Sequence, residues 1–351
     1  MTALLEEIAQ QPAALSRLRK YYTSPGAIPY QVLRKLVTHW PPTVVFTGMG
    51  SSLHAAYPAQ VYLTSLGIRA LVWETAELLY HHLKFLGPDT LLVVVSQSGE
   101  TIEITRLLSN LPEKVSVAAV SNVEASTLAR RARLLLPMMA GRQVSVSTKT
   151  YTCTVAVLMY LAFAIARKPP RPLTQAVMRA IEVQEKILDR YEVILPPTLE
   201  FLNDPYYVAL MSRGADLASA CEGALILKEV ARLAAEPISA AQFRHGPIEI
   251  LHPNHRYIIF ARQCQPSGNT GKLLLKLADD IRRHGGRVLL LTDLPFETAT
   301  NVRLIEVEPL RLGLGTLVDI VYIHLLAHDL ALRAGREPGK FWIAEGVTRE
   351  E

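Results

Sequence analysis

Residues 91–104 read LLVVVSQSGETIEI. Five consecutive apolar residues, Leu91–Val95, come before three hydroxyl side chains, an amide and a glycine, and apolar residues then return at helical spacing. An apolar run without a polar face predicts a strand covered on both sides, and such strands are typical of parallel sheets between helices. The stretch therefore predicts a buried strand, a polar loop and a helix of an α/β fold.

Further short apolar runs bounded by turn residues alternate with helical patterns along the chain. They predict strands at Thr43–Thr47, Val115–Val120, Tyr207–Met211, Tyr257–Ala261 and Arg287–Leu291. Because these runs are also apolar on both faces, we expect mainly parallel sheets flanked by helices. The fold class is a doubly wound, flavodoxin-like α/β architecture.

The chain contains an internal repeat. LLVVVSQSGET at 91–101 matches RYIIFARQCQPSGNT at 256–270, VSVAAVSN at 115–122 matches GRVLLLTD at 286–293, and VVFTGMGSS at 44–52 matches YVALMSRGADLA at 207–218. The repeat predicts two tandem copies of one domain. We expect domains at 39–166 and 203–335, linker helices at 167–202, an N-terminal helical lead-in at 1–38 and a C-terminal tail at 336–351.

Composition favours a soluble cytoplasmic protein. Half of the 351 residues are hydrophobic, and three separate cysteines exclude a disulfide framework. The longest apolar run, Val155–Ala166, has 12 residues, whereas a membrane span needs about 20, and the N-terminus lacks the pattern of a signal peptide. The net charge of +5 is scattered in short clusters, so we expect neither a membrane nor a nucleic-acid partner.

Two polar loops follow predicted strands, Gly48–Ser52 and Ser96–Thr101. In open α/β sheets ligands bind beyond the carboxyl ends of the strands, where helix N-termini attract anions. Hydroxyl donors beside glycines, without a lysine, suit a single phosphate monoester better than a nucleotide triphosphate. One such loop would be an ordinary helix N-cap, but two of them favour phosphate binding.

These loops belong to a set of motifs that resembles the sugar isomerase (SIS) domain family. The motifs are TGMGSSLHAA at 47–56, SQSGET at 96–101, STKTYT at 147–152 and EGALILKE followed by AEPISAAQFRHGP at 222–247. They look most like the isomerase module of glutamine:fructose-6-phosphate amidotransferases and stand-alone SIS-type glucosamine-6-phosphate deaminases. The resemblance implies two SIS domains, a homodimer with shared active sites, and sugar-phosphate binding by Gly50, Ser51, Ser52, Ser96, Gln97, Ser98, Thr101, Ser147 and Glu222.

Helical spacing puts Glu222, Ile226 and Glu229 on one stripe of a helix that is otherwise rich in Ala and Leu. A carboxylate beside a packed face can have a raised pKa and can move protons. From periodicity alone, a surface glutamate paired with Lys228 or Arg232 is the simpler interpretation. The resemblance instead implies that Glu229 is the base that moves a proton between C1 and C2 of an open-chain sugar.

His245 precedes Gly246-Pro247, which predicts a turn, and loops are where functional residues concentrate. A lone histidine is more often a capping or core residue, but the resemblance implies that His245 assists ring opening across a dimer interface. The nearby His252 and His255 lack a carboxylate to complete a ligand set. Together with the resemblance, which implies a family that needs no metal, this predicts no metal site, and we expect no cofactor.

Two departures from the family pattern bear on the reaction. Ile226 stands where the amidotransferase pattern has a lysine, and Glu345 occupies the place of the tail lysine that forms an imine with the ketose. We also expect no glutaminase activity, because threonine is residue 2 and the SIS module follows at once.

The function predicted from the sequence is a phosphosugar isomerase/deaminase that converts glucosamine 6-phosphate, with a hexose or hexosamine 6-phosphate as substrate. The alternatives are a ketosamine-phosphate deglycase, an aldose–ketose phosphosugar isomerase, and a non-catalytic sugar-phosphate sensor.

Overall fold

A computed structural model of the chain describes residues 2–24, 26–263 and 269–343. The chain divides into two compact units, each with its own sheet. We call Gln10–Met178 the N-terminal unit, and Arg179–Lys340 together with Met1–Ala9 the C-terminal unit. Parts of two predicted segments lie outside the described residues: 264–268 of the repeated loop, and 344–351 of the tail, which includes Glu345.

The first half of the chain alternates strands and helices. Its helices are α1 Ala3–Ala9, α2 Gln11–Tyr22, α3 Tyr30–Lys35, α4 Ser51–His54, α5 Tyr57–Ser65, α6 Thr75–Glu77, α7 Ile102–Asn110, α8 Thr127–Arg131 and α9 Lys149–Ile165, with a π turn at Leu78–His82 and a 3₁₀ turn at Leu83–Phe85. Its strands are β1 Thr43–Gly48, β2 Ala70–Glu74, β3 Thr90–Ser96, β4 Ser116–Ser121 and β5 Leu134–Pro137. They form one parallel sheet in the order β2-β1-β3-β4-β5.

The core of the N-terminal unit lies against both faces of this sheet. Every residue of β1, β3 and β4 is buried, as their apolar runs predict. On one face Ile104 and Leu107 of α7 pack in a cluster with Leu92 and Val94 of β3. The amphipathic spacing that follows the polar loop is therefore the spacing of a helix packed on its own strand.

The second half of the chain repeats the pattern. Its helices are α10 Arg171–Leu202, α11 Leu217–Glu229, α12 Ala240–Phe243, α13 Thr270–Arg283 and α14 Thr316–Arg333, with 3₁₀ turns at Gly214–Asp216 and Pro247–Ile250. Its strands are β6 Tyr207–Ser212, β7 Ala235–Ser239, β8 His255–Ala261, β9 Arg287–Thr292 and β10 Val302–Glu306. They form a parallel sheet in the order β10-β9-β8-β6-β7.

The two sheets have the same topology. When the strands of each unit are numbered along the chain, both sheets read 2-1-3-4-5. The prediction of parallel, helix-flanked α/β layers is confirmed, and the repeated sequences fall on equivalent strands: β3 with β8, β4 with β9 and β1 with β6. Residues 167–202, predicted as linker helices, contain the single long helix α10.

Four strands were not predicted from the sequence, and all four lie at the sheet edges. They are β2 and β5 in the first sheet and β7 and β10 in the second. β2, β7 and β10 are only partly buried, whereas the central strands are buried almost throughout; β5 is an apolar run with three of its four residues buried and is distinguished by its short length. Because an edge strand has one neighbour and a partly exposed surface, its sequence need not be a continuous apolar run.

Two apolar helices were expected to provide a dimer interface. Val155–Ala166 falls largely in α9, which packs against α2 and α5, and Leu317–Leu332 lies in α14, which packs against α1 and α11. Nearly all apolar residues of both helices are already buried in the single chain, so their composition needs no partner to explain it. The homodimer stays a prediction without this support. Among the described helices, none is both long enough and apolar enough to cross a membrane.

Candidate functional site

The conformation of the loop after β3 is fixed by hydrogen bonds to its own side chains. The Ser96 hydroxyl accepts a hydrogen bond from the Gly99 amide at 2.9 Å, and its oxygen lies 3.3 Å from that of Thr101. The Ser98 hydroxyl accepts from the Glu100 amide at 3.2 Å. These bonds curl Ser96–Thr101 into a compact turn whose hydroxyl groups are collected at the carboxyl end of the strand.

Thr101 occupies the N-cap position of α7, but within the described residues its side chain makes no capping bond to the first turn. Its hydroxyl contacts Ser96 instead. An N-terminus that leaves amide groups uncapped keeps its attraction for anions. The ordinary N-cap interpretation therefore does not fit this helix, and the loop has the features of an anion-binding turn.

Gly99 anchors the turn against α8. Its φ of +68° is in the left-handed region, and a Cβ atom there would lie 2.2 Å from the Ser126 hydroxyl oxygen. The Gly99 carbonyl accepts from the Leu128 amide, and the Glu100 carboxylate accepts from the Thr127 amide at 2.6 Å. That hydrogen bond lowers the pKa of the exposed Glu100. Glycine is required here by both space and conformation.

The second predicted loop follows β1, the neighbour of β3 in the sheet. Gly50 has φ +50° and ψ −125°, and the short helix α4 begins with Ser51 and Ser52, which are both half-buried. Because β1 and β3 are adjacent parallel strands, the two loops lie at the same end of the sheet, the end formed by the carboxyl ends of the strands. In the strand order 2-1-3-4-5, the chain reverses its direction across the sheet between β1 and β3. Open α/β sheets bind ligands at such a switch point, beyond the carboxyl ends of the strands.

Ser147 lies just before α9. Its hydroxyl oxygen is 2.8 Å from that of Thr150, and the Gln143 amide group donates to the Val146 carbonyl and to Thr148. Helix α9 packs against α4, which carries Ser51 and Ser52. The loops after β1 and β3 are thus neighbours, and the helix that begins after Ser147 contacts the helix that carries Ser51 and Ser52.

In the C-terminal unit, α11 carries the two predicted glutamates. Glu222 and Ile226 are fully buried, and Glu229, the last residue of the helix, is half-buried. The predicted stripe of α11 is therefore a packed face. Glu229 is half-buried rather than exposed, and the charge of Lys228 acts on its carboxyl group, so the alternative of a pair with Lys228 or Arg232 stays open.

Burial and charge both act on the acidity of Glu229. Burial, followed by repulsion from the neighbouring Glu222, raises the pKa of its carboxyl group to about 7, although Lys228 acts in the opposite direction. A carboxyl group with a pKa near neutrality can accept and return a proton under the same conditions. This is the property that a proton shuttle requires.

His245 lies in the turn between α12 and the 3₁₀ turn Pro247–Ile250, as Gly246-Pro247 predicts. It is exposed, and its backbone amide donates to the Gln242 carbonyl. The adjacent Arg244 forms an ion pair with Asp280 at 2.6 Å, which ties the turn to α13. The imidazole is available at the surface of its unit.

One polar cluster of the C-terminal unit was missed by the sequence analysis. Buried Arg262 pairs with buried Asp319 and also donates to the Glu308 carbonyl at 2.9 Å, and Ser219 donates to Asp319 at 2.9 Å. Burial, followed by repulsion from Asp319, raises the pKa of the buried Asp216 to about 7. The signal in the sequence is an acid, Asp319, near the start of the apolar run of α14.

This cluster occupies the C-terminal counterpart of the serine loops. Arg262 follows the last residue of β8 as Gln97 follows the last residue of β3, and Asp216 comes four residues after β6 as Ser52 comes four after β1. Where the N-terminal unit has neutral donors, the C-terminal unit has an internal ion pair. The candidate residues thus form two groups, hydroxyl donors in the N-terminal unit, and Glu222, Glu229 and His245 in the C-terminal unit.

Comparison with known proteins places these features in context. Residues 38–166 match the SIS domain model. A glutamine--fructose-6-phosphate aminotransferase [isomerizing] from Thermococcus kodakarensis is 31% identical over 324 residues, which cover 88% of this chain and 52% of the relative. The chain therefore spans about half the length of that curated relative.

Solved structures show the same fold over nearly the whole chain. The C-terminal domain of glucosamine-fructose-6-phosphate aminotransferase from Francisella tularensis has a TM-score of 0.84 at 20% identity, covering 97% of this chain and 98% of that one. A glucosamine-6-phosphate deaminase from Thermotoga maritima has a TM-score of 0.74 at 20% identity, with 98% and 99% covered.

Proposed function

Since residues 38–166 of the chain belong to the SIS domain family, we propose that the protein is an enzyme acting on sugar phosphates. Its reaction is the conversion of glucosamine 6-phosphate and water to fructose 6-phosphate and ammonia. The observation that carries the reaction type is Glu229, a half-buried carboxyl group with a pKa of about 7. Proton transfer between adjacent carbons needs such a group.

The phosphate group is held by the N-terminal unit. Neutral hydroxyl and amide donors at the ends of β1 and β3 support this assignment, because they can hydrogen-bond a phosphate monoester without the lysine that a triphosphate site uses. The C-terminal counterpart has an internal ion pair instead. The proposed phosphate ligands are Gly50, Ser51, Ser52, Ser96, Gln97, Ser98 and Thr101, with Ser147 beside them.

The proton transfers are assigned to His245 and Glu229. His245 assists opening of the pyranose ring, since its exposed imidazole carries one donor and one acceptor nitrogen. Glu229 removes the proton from C2 and returns it to C1, which converts the amino aldose to a ketose imine through an enolamine. Water adds to this imine and ammonia leaves. Glu222 contributes by keeping the pKa of Glu229 high.

The test of this proposal is product release from a panel of hexosamine phosphates and the corresponding free sugars. We expect ammonia and ketose from glucosamine 6-phosphate, solvent deuterium at C1 of the ketose, and no turnover of unphosphorylated sugar. Glu229→Gln preserves shape and removes the proton acceptor, so kcat should fall by about 10²–10⁴-fold while substrate binding survives. Glu249→Gln, an exposed acid of the same unit, is the matched control.

Near-normal turnover by Glu229→Gln would contradict the assignment. A wild-type protein that binds hexosamine phosphates but converts none would support a sugar-phosphate sensor instead. One observation favours that second candidate: Ile226, which stands where the related pattern has a lysine, is fully buried and cannot supply an amine. The proposal also includes a homodimer with shared active sites and a doubly wound arrangement of each unit.

A further inference from the structure

The segment between β5 and α9, which carries Ser147, is organised by the side chain of Gln143. The amide group of Gln143 donates to the Val146 carbonyl at 2.9 Å and to the Thr148 hydroxyl oxygen at 3.2 Å. Its carbonyl oxygen accepts from the backbone amide and from the hydroxyl group of Thr150, both at 3.3 Å. An amide side chain has two donors and two acceptor sites, so Gln143 uses all four within this segment.

These contacts fix the direction of each hydrogen bond. The Gln143 amide cannot be turned over, because the Val146 carbonyl can only accept and the Thr150 backbone amide can only donate. The single proton of the Thr150 hydroxyl therefore goes to the Gln143 oxygen. The Ser147 hydroxyl oxygen lies 2.8 Å from that of Thr150, so Ser147 is the donor of this pair.

The lone pairs of Ser147, and not its proton, are then what a ligand meets. Thr150 is 2% exposed, so water does not compete for its hydroxyl group, whereas Ser147 is half-buried and can be reached. The dianion of a phosphate monoester offers only acceptor oxygens and gains nothing from another acceptor. A sugar hydroxyl group has a proton to donate and can use it.

This segment lies beside the proposed phosphate site. Gln143 lines the same cleft of the N-terminal unit as Gln97, which belongs to the loop Ser96–Thr101. Helix α9, which begins two residues after Ser147, packs against the helix that begins with Ser51. A ligand whose phosphate is held by the two loops can therefore extend its carbon chain toward Ser147.

We propose that Gln143 and Thr150 are positioning residues that make Ser147 an acceptor for a hydroxyl group of the sugar. Ser147 then selects the sugar and does not hold the phosphate. A ligand needs a hydrogen-bond donor at the position that meets Ser147, and a group that can only accept is disfavoured there. This inference rests on the proposed function, because the two loops must first hold the phosphate.

The experiment uses ligands that differ in one hydroxyl group. Calorimetry measures binding to the full chain of glucitol 6-phosphate, an open-chain alcohol that cannot isomerise, and of analogues in which one hydroxyl group at a time is replaced by fluorine. Fluorine cannot donate a hydrogen bond, so the analogue altered at the position that meets Ser147 should bind about tenfold more weakly. Ethyl phosphate, which has no hydroxyl group on its carbon chain, measures phosphate binding alone.

Variants separate the positioning role from a structural one. Ser147→Ala should remove the fluorine penalty and leave binding of ethyl phosphate unchanged. Thr150→Val should shrink the penalty, because the Ser147 proton is then free to turn toward the ligand, whereas Thr150→Ser keeps a hydroxyl group and should keep the penalty. Thr152→Val is the matched control, since this buried threonine of α9 donates to the Lys149 carbonyl of its own helix at 3.2 Å.

A fluorine penalty of the wild-type size in Ser147→Ala or Thr150→Val would overturn the inference, and so would the absence of a penalty from every analogue. Weaker binding of ethyl phosphate to Ser147→Ala would make Ser147 a phosphate ligand and also count against it. These results leave the proposed function intact, because phosphate esters still bind. Failure of every phosphate ester to bind the wild type would remove both proposals. Gln143→Met, which removes the acceptor of Thr150, gives the same test if Thr150→Val does not fold.

Discussion

Glu229 derives its acidity from its position at the end of a packed helix. Its neighbours on the buried stripe of α11 are Glu222 and Ile226, so desolvation and a like charge act together to raise its pKa, and Lys228 offsets only part of that rise. The same residue on an exposed helix would be an ordinary surface acid. The chemistry at this residue is therefore a property of the packing around it.

The pH profile of turnover follows from this environment. With a pKa of about 7, Glu229 is a base mainly above pH 7, so kcat/KM should rise with pH and level off above neutrality. Glu222→Gln removes the repulsion that raises this pKa, so the rising limb should move to lower pH. Glu249→Gln should leave the limb unmoved. A limb that stays in place or moves upward in Glu222→Gln would contradict this cause.

At the scale of elements, the turn between β3 and α7 depends on one glycine. Gly99→Ala should weaken binding of fructose 6-phosphate and lower the unfolding temperature, because the new Cβ meets Ser126 and the left-handed conformation costs about 1–2 kcal/mol in an alanine. Gly67→Ala is the matched control, since Gly67 has φ +75° but no atom within 4 Å of the added Cβ. Calorimetry and thermal unfolding measure the two effects.

Gly99→Ala combined with Ser126→Gly separates the two causes. Removing the Ser126 side chain relieves the contact but not the backbone strain, so the double variant should recover part of the binding. If Gly99→Ala binds as well as the wild type, the turn is not the rigid element described above. Equal loss of binding in Gly67→Ala would point to a general loss of stability instead.

At the scale of the whole molecule, buried Asp216 couples stability to pH. Its pKa is about 7 in the folded chain and near 3.8 in the unfolded chain, so the folded state binds the proton more tightly. Its contribution is therefore fully present below about pH 4 and is lost as pH rises through 7. Asp216→Asn should remove about 2–3 kcal/mol of the decline in the free energy of unfolding between pH 5 and pH 8.

Urea unfolding at both pH values measures this difference. Asp189→Asn, at an exposed position of α10, is the control and should keep the slope of the wild type. An Asp216→Asn variant with the wild-type slope would show that the carboxyl group does not change its protonation on unfolding.

The sequence predicts the centre of each sheet well and its borders poorly. Runs such as Leu91–Val95 are apolar on both faces because helices cover both sides, and this pattern also reveals the repeat. Edge strands such as β7 lack this pattern because solvent reaches part of their surface.

Arg262 and Asp319 are 57 positions apart, so their pairing depends on the packing of α14 and has no local pattern. The roles of Glu229 and His245 came from resemblance, since periodicity alone favoured a surface acid.

The edge strands of the sheets have a consequence for association between molecules. An exposed strand edge offers unpaired amide and carbonyl groups to any other extended chain, which is the first step of aggregation. β7 carries Pro237 in its interior, and β5 ends at Pro137. Proline has no amide hydrogen to offer to an added strand. The β7 edge of the second sheet is thus a poor template for an added strand.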